Sequence, residues 1–168
     1  IASMQQLEIV DGSYRSPERR ISLLARQAPS LVFYLKYFSI VFRSAWVAYR
    51  GRYDDQTWTR GSQTVLRALE SVGLKFQVEG LQHLAEPDGP CVIAGNHMSA
   101  LETMVLPGFI EPIRHHTYVV KQPLLDYPFF KYVMRSRDPV AVSQYDPRED
   151  LKAMLEGGVE RLQKGVSL

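Results

Sequence analysis

Cys91-Val92-Ile93-Ala94-Gly95-Asn96-His97-Met98-Ser99-Ala100-Leu101-Glu102-Thr103 runs from an unbroken apolar stretch through a polar turn into a helix-forming segment. A short continuous apolar run is expected of a strand buried on both faces. A histidine emerging where such a strand meets a helix stands where open α/β sheets place ligands, at the carboxyl ends of their strands. An imidazole there suits general-base chemistry, and its usual helper is a carboxylate that fixes the tautomer. Glu102 is the candidate. On one continuous helix the five positions from His97 to Glu102 would turn through about 140° and face the two apart. If the helix begins at Ser99, His97 belongs to the loop and Glu102 to the first turn, and the loop can fold back to join them. The same spacing also reads as a capping box, Ser99-x-x-Glu102, in which the carboxylate closes the helix start. The two readings do not exclude each other.

Downstream and just upstream of this stretch, the pattern alternates between strand and helix. Leu74-Lys75-Phe76-Gln77-Val78-Glu79 alternates strictly, as a half-exposed strand does, and Pro87-Asp88-Gly89-Pro90 is a turn. Beyond His97 the spacing predicts a helix over about 100–109, a strand over 117–121, a short helix near 128–134, a strand over 139–143 and a helix over 147–163. That alternation predicts an α/β fold with a mostly parallel sheet flanked by helices, occupying residues 73–168.

Further towards the N-terminus the pattern is helical. Residues 17–27 read as a short helix, with Ser16 as cap and Pro17 in the first position. Asp54 and Asp55 start another that runs to about Ser71, with Trp58, Val65, Leu69 and Val72 on one stripe and Gly73 as its stop. Residues 30–50 lie between them, with Ser30 as cap and Gly51 as stop, so an N-terminal helical hairpin precedes the α/β part. Residues 1–16 show no cleavable signal pattern and are expected to be a mobile arm.

Residues 30–50 hold Phe33, Tyr34, Tyr37, Phe38, Phe42, Trp46 and Tyr49 with only three charges, Lys36, Arg43 and Arg50. Spaced by seven, these cations drift by only about 20° per step and form one stripe on an apolar cylinder. Two of them fall well inside the segment, which argues against a spanning helix and for one lying in the membrane interface. A core helix packed on the rest of the domain is the alternative. Charge distribution agrees with the interface: residues 1–84 carry eleven Lys and Arg against seven Asp and Glu, and residues 85–168 nine against eleven. The net charge of +2 over 168 residues excludes a nucleic-acid binder driven by gross charge. Cys91, the single cysteine, has no internal disulfide partner. His115 and His116 are adjacent and would point to opposite faces of a strand, so no metal site is expected.

The N-H-x-x-x-x-E pattern after an apolar strand resembles the first motif, N-H-x-x-x-x-D, of the PlsC-like glycerolipid acyltransferase superfamily, the 1-acylglycerol-3-phosphate O-acyltransferase type. Val120-Lys121-Gln122-Pro123-Leu124-Leu125-Asp126-Tyr127-Pro128-Phe129-Phe130 resembles its K-x-x-L-x-x-x-P-F segment, and Asp138-Pro139-Val140-Ala141-Val142 the strand before its second motif. The resemblance implies that His97 takes the proton from the hydroxyl of a lyso-glycerolipid acceptor while Glu102 holds the imidazole. Acyl-CoA or acyl-carrier protein would be the co-substrate, with no cofactor, no metal and no acyl-enzyme. Asn96 and Ser99 would support the loop, and Lys121, Arg135, Arg137 and Arg148 are candidates for the substrate's phosphate side. The combined reading is a peripheral protein at the cytoplasmic face of the cell membrane, with the lipid surface as a partner and no nucleic acid.

The chain departs from the family pattern in three ways. Glu102 is one methylene longer than the usual Asp. Ser143-Gln144 stands where the family places a phosphate-binding Arg, and Arg148 nearby is equally a partner of Glu149 or Asp150. The third motif, F-P-E-G-T-R, would follow a helix and a short strand, whereas the chain reaches Gly165-Val166-Ser167-Leu168. The α/β part is therefore expected to be incomplete at its C-terminus. Two rival readings remain: a lipid-binding or scaffold relative of the same fold without catalysis, and a thioester hydrolase with water as acceptor.

Overall fold

A computed structural model describes residues 7–168. The helical front half forms much as its sequence dictates. Helix α1 covers Leu23–Gln27, α2 covers Pro29–Tyr49 and α3 covers Asp55–Glu70. Pro29 takes the first helical position of α2, so the cap falls on Ala28 and Ser30 lies inside the helix. Gly51 at φ +66° reverses the chain after Tyr49, and Asp54 caps α3 by accepting the N–H of Thr57 at 2.7 Å.

The helix expected over 17–27 begins only at Leu23, capped by Ser22. Ser16 is used elsewhere: its Oγ accepts the N–H of Phe76 at 2.8 Å, and its own N–H donates to Phe76 O at 2.9 Å. This tie corrects the mobile arm as well. Strand β1 (Tyr14–Arg15) pairs antiparallel with β2 (Gln77–Val78), and Tyr14 is only 5% exposed. Its hydroxyl donates to Glu70 Oε1 at 2.5 Å, and burial first, then that carboxylate, pushes the phenol up to about 12. Residues 1–6 of the expected arm lie outside the described residues.

Helix α3 is the spine of the molecule. Val65, Leu66 and Leu69 pack with Tyr14, Leu81, Val105 and Phe109 in one cluster, while Trp58 packs with Tyr53, Val120, Val133 and Met134 in another. Helix α2 lies along α3 and turns Phe33, Tyr37 and Ile40 inward. The opposite face, with Leu31, Tyr34, Leu35, Phe38, Phe42, Trp46 and Tyr49, is exposed. The helix is long and apolar enough to cross a membrane by length and composition.

The sheet is smaller than the sequence predicts. The described residues hold two two-stranded sheets: β1 with β2, and β3 (Val119–Lys121) parallel to β4 (Val140–Val142). The run at residues 91–94 is not a regular strand. Its hydrogen bonds among the described residues go to the last residues, through Ile93 N–H to Leu168 O at 2.6 Å, Leu168 N–H to Cys91 O at 3.1 Å, and Cys91 N–H to Ser167 Oγ at 3.1 Å. Ser167 in turn bridges to His116 in the parallel sense. With so little backbone beside it, Val92 remains exposed although its sequence reads as buried. The helix expected over 100–109 divides into α4 (Leu101–Val105) and α5 (Pro107–Ile110), because Pro107 restarts the helix. Helices α6 (Phe130–Arg135) and α7 (Pro147–Gln163) fall where the pattern places them.

Candidate active site

Beyond Ile93, residues 94–100 form an exposed, irregular loop. Helix α4 then starts, so Glu102 sits in its first turn and His97 in the loop before it. His97 Nδ1 lies 3.0 Å from Glu102 Oε2. The carboxylate also accepts the N–H of Met98 at 3.1 Å and that of Ser99 at 3.0 and 2.9 Å. Cap and dyad geometry thus coexist on one side chain. The other half of a capping box is displaced by one residue, since Ser99 Oγ accepts from Leu101 N–H at 3.1 Å. The Ser99 amide above all, then that of Met98 and the neighbouring imidazole, outweigh desolvation and hold the Glu102 carboxyl below the usual range. With Nδ1 engaged, Nε2 is the nitrogen left to face solvent, and the ring is 68% exposed.

Helix α4 has only five residues, and its seat comes from α3. Ser62 Oγ donates to Met104 O at 2.6 Å, lies 2.9 Å from Val105 O, and accepts the Gly108 N–H at 2.9 Å. This one buried hydroxyl serves the backbone at the break between α4 and α5. Gly108 permits the approach, for a Cβ there would lie 3.1 Å from both Ser62 Oγ and Gln63 Cγ. From α2, the Tyr37 hydroxyl reaches Met104 Sδ at 3.7 Å. Helix α2 therefore touches the helix that carries Glu102.

The other expected site residues go to different places. Asn96 is exposed in the loop before His97, and Lys121 ends β3 with its side chain outward. Arg135 closes a local turn, donating from Nε to Leu125 O at 2.9 Å and from Nη2 to Asp126 Oδ1 at 2.9 Å. Arg148 stands exposed at the start of α7, but Asp150 is not its partner. That carboxylate accepts Ser143 N–H and Oγ–H at 2.6 and 2.9 Å and Gln144 N–H at 2.6 Å. Gln144 occupies the second-motif position at φ +66°.

Arg137 is nearly buried, on the wall of a cavity that Asp55, His115, Arg161 and Lys164 also line. It is 8% exposed, pairs through Nη2 with Asp55 Oδ1 at 2.5 Å, and lies over the Trp58 ring at 4.5 Å. It belongs to a polar cluster that the sequence reading did not find. Glu111 receives both histidines, with His115 Nδ1 at 2.6 Å and His116 Nδ1 at 2.7 Å. Asp55 Oδ2 is 3.4 Å from His115 Nδ1, and His116 stacks on Trp58 with centroids 4.8 Å apart. Burial alone would raise the Glu111 carboxyl, but the hydrogen bonds from His116 and His115 prevail and hold it low. The adjacent histidines share a carboxylate because their segment bends here instead of extending as a strand. The signal in the sequence was Glu111 four residues before His115. Ligand atoms of Asp55, Glu111 and His115 lie within 4.8 Å of one another, as a metal site would require. Yet the Arg137 guanidinium reaches both Asp55 and, at 3.9 Å, Glu111, so the niche already holds a cation.

No family model and no solved structure matches the chain. The chain is 35% identical over 117 residues to the 1-acyl-sn-glycerol-3-phosphate acyltransferase of Pseudomonas aeruginosa. That match takes in 70% of this chain and 43% of the relative, so the chain spans less than half the relative's length. With the ordered motifs around His97, Lys121 and Val140 alongside that identity, the chain belongs to the PlsC-like acyltransferase family.

Proposed function

We propose that the protein transfers a fatty acyl group from acyl-CoA or acyl-carrier protein to the hydroxyl of a lyso-glycerolipid, with His97 as general base and no cofactor. The single observation that carries the reading is the His97–Glu102 pair at 3.0 Å, on an exposed loop with Nε2 free to meet substrate. Glu102 fixes the Nδ1–H tautomer and stabilises the imidazolium. His97 Nε2 takes the proton as the acceptor oxygen attacks the thioester carbonyl. Collapse of the tetrahedral intermediate breaks the C–S bond, and the departing thiolate takes the proton back from the imidazolium. No protein nucleophile is needed, and Cys91 is only a partly buried thiol tied into the Ser167–Leu168 junction.

The acceptor lives in a lipid surface, and the protein would meet it there, peripherally at the cytoplasmic face. The support is the exposed aromatic face of α2, flanked by Lys36, Arg43 and Arg50, on a helix whose other face packs on α3 and α6. Lys36 Nζ also reaches Ser71 Oγ at 2.6 Å, which ties the helix to the body of the domain instead of leaving it a lone span.

The test is transfer of labelled acyl groups from acyl-CoA and acyl-carrier protein to a panel of lyso-glycerolipids, beside His97→Ala. Loss of about 10²-fold or more in His97→Ala is expected. An absence of His97-dependent transfer overturns the reading, and thioester loss without acylated lipid assigns a hydrolase. Vesicle flotation of the Phe38→Ser, Trp46→Ser double variant tests the docking, and undiminished binding overturns that part.

A further inference from the structure

We infer that the turn Tyr127-Pro128-Phe129 is a second lipid-contacting element, placed beside α2 so that both enter one anionic membrane surface. The inference rests on the docking reading above and adds to it a part of the α/β domain. Phe129 has φ +64° and ψ −48°, and the Phe130 N–H donates to Pro128 O at 2.7 Å across it. That is a three-residue turn of the rarer, strained hand, built on a bulky side chain that disfavours positive φ. The strain does not serve burial: Phe129 is 49% exposed and Tyr127 59%.

What the turn achieves is a position. The Phe129 ring meets Phe42 of α2 edge to face, with centroids 4.7 Å apart, and Phe42 is half exposed on the outward aromatic face. Behind it Tyr132 meets Tyr49 of α2 in the same way at 5.3 Å. The exposed apolar stripe of α2 therefore continues onto the turn. Strained residues of this kind persist where the surroundings impose them and concentrate at functional sites.

The charges around the patch select the partner. Helix α2 contains no acidic residue, and none occurs from Tyr127 to Tyr132. Arg50 lies over Trp46 at 4.6 Å and Lys131 over Tyr132 at 5.2 Å, which places cations at the margin of the rings. Asp126, the nearest acid to the turn, is paired with Arg135 at 2.9 Å. Aromatic rings bordered by unopposed cations fit the acyl boundary and headgroups of an anionic bilayer. Because the turn lies between Lys121 at the end of β3 and α6, seating it on lipid would hold the carboxyl end of the parallel strands at the membrane.

The experiment places an indole at the turn, with Phe129→Trp in a Trp46→Tyr background that leaves the buried Trp58 as a constant signal. The protein is mixed with phosphatidylcholine vesicles with and without phosphatidylglycerol, carrying brominated acyl chains. Bromine quenching and a blue shift of the new indole on the phosphatidylglycerol vesicles are expected. Phe129→Gly, which relieves the backbone, should keep or raise the melting temperature while weakening vesicle binding about tenfold. Vesicle binding with the indole still in water overturns the role of the turn while α2 docking stands, and failure of the parent protein to bind vesicles overturns both. A lower melting temperature in Phe129→Gly with unchanged vesicle affinity assigns the turn to packing instead. Self-association of the parent that Phe129→Gly abolishes, without vesicle binding, assigns the patch to a second copy of the chain.

Discussion

His97 Nδ1 stands 3.0 Å from Glu102 Oε2, and the same carboxylate holds the amides of Met98 and Ser99. One side chain therefore fixes both the imidazole and the loop that carries it. Glu102→Gln keeps the shape but removes the charge, and presents an N–H₂ group to donors that need an acceptor. Its kcat should fall by about 10- to 100-fold with KM little changed, because the loss is felt as the imidazolium forms. Glu102→Asp keeps the charge with a shorter reach and cannot serve two amides and the imidazole together, so it should fall between Gln and wild type. The pH profile supplies the sign. The Glu102 carboxyl lies below its ordinary value, so its contribution persists at mildly acid pH and is lost only as pH falls through that lowered value. The acid limb of activity should therefore move little between wild type and Glu102→Asp, as measured by kcat/KM against pH.

The buried cluster around Glu111 predicts a different failure. Glu111→Ala would leave the buried His116 without its carboxylate and His115 and Arg137 with Asp55 alone, and breaking a buried pair from one side costs about 3 kcal/mol or more. Because the folded-state carboxyl is held low, the stability it confers is present above its unfolded value and disappears as pH falls through the lower one. Wild type should lose this contribution at the acid end of a denaturant series, and the gap to Glu111→Ala should narrow there. A gap that stays constant from neutral to strongly acid pH would refute the account.

Ser62 gives a test of how α3 positions α4. Ser62→Ala strands the Gly108 N–H in a buried place and frees the Met104 carbonyl, at a cost of about 1–3 kcal/mol. Ser62→Cys retains a weak donor of similar size and should recover part of it. Urea unfolding measures both, and equal midpoints for Ala and wild type would exclude the clamp.

The sequence was most legible where a local rule acts alone. Asp54 and Asp55 as helix start, Gly51 as stop and the spacing of Trp58, Val65 and Leu69 predict α3 and the end of α2, and the structure has them. The spacing around His97 was legible as a cap and a His–Glu pair that do not exclude each other, and the Glu102 carboxylate lies within reach of both the imidazole and the loop amides. Tertiary partners decided the rest. Ser16 has the form of a helix cap, yet Phe76 supplies a backbone partner sixty residues away and draws it into a strand junction. Cys91–Ala94 reads as a buried strand by composition, but strand assignment requires neighbours, and among the described residues its backbone bonds to Ser167 and Leu168 alone. The partners of Arg137 could not be read in the sequence, because the acids that hold it, Asp55 and Glu111, lie on distant segments.

Tyr14 and Glu70 close the core at the far end of α3, and their titration runs opposite to that of Glu111. The phenol is pushed from an ordinary 10.0 to about 12, by burial first and then by the carboxylate it donates to. A raised folded-state value means that the stabilisation is complete below the unfolded phenol's pKa and is lost as pH rises through the folded one. Between about pH 10 and 12 the wild type should lose stability faster than Tyr14→Phe, which has no proton to release there. At neutral pH the order reverses, for Tyr14→Phe leaves Glu70 buried without its donor and should be less stable by about 1–3 kcal/mol. Glu70 Oε2 already has no hydrogen-bond partner among the described residues, so nothing nearby replaces the lost phenol. The measurement is the denaturation midpoint of both proteins across alkaline pH. Curves that stay parallel would show that the hydroxyl, though 2.5 Å from the carboxylate, does not fasten β1 to α3.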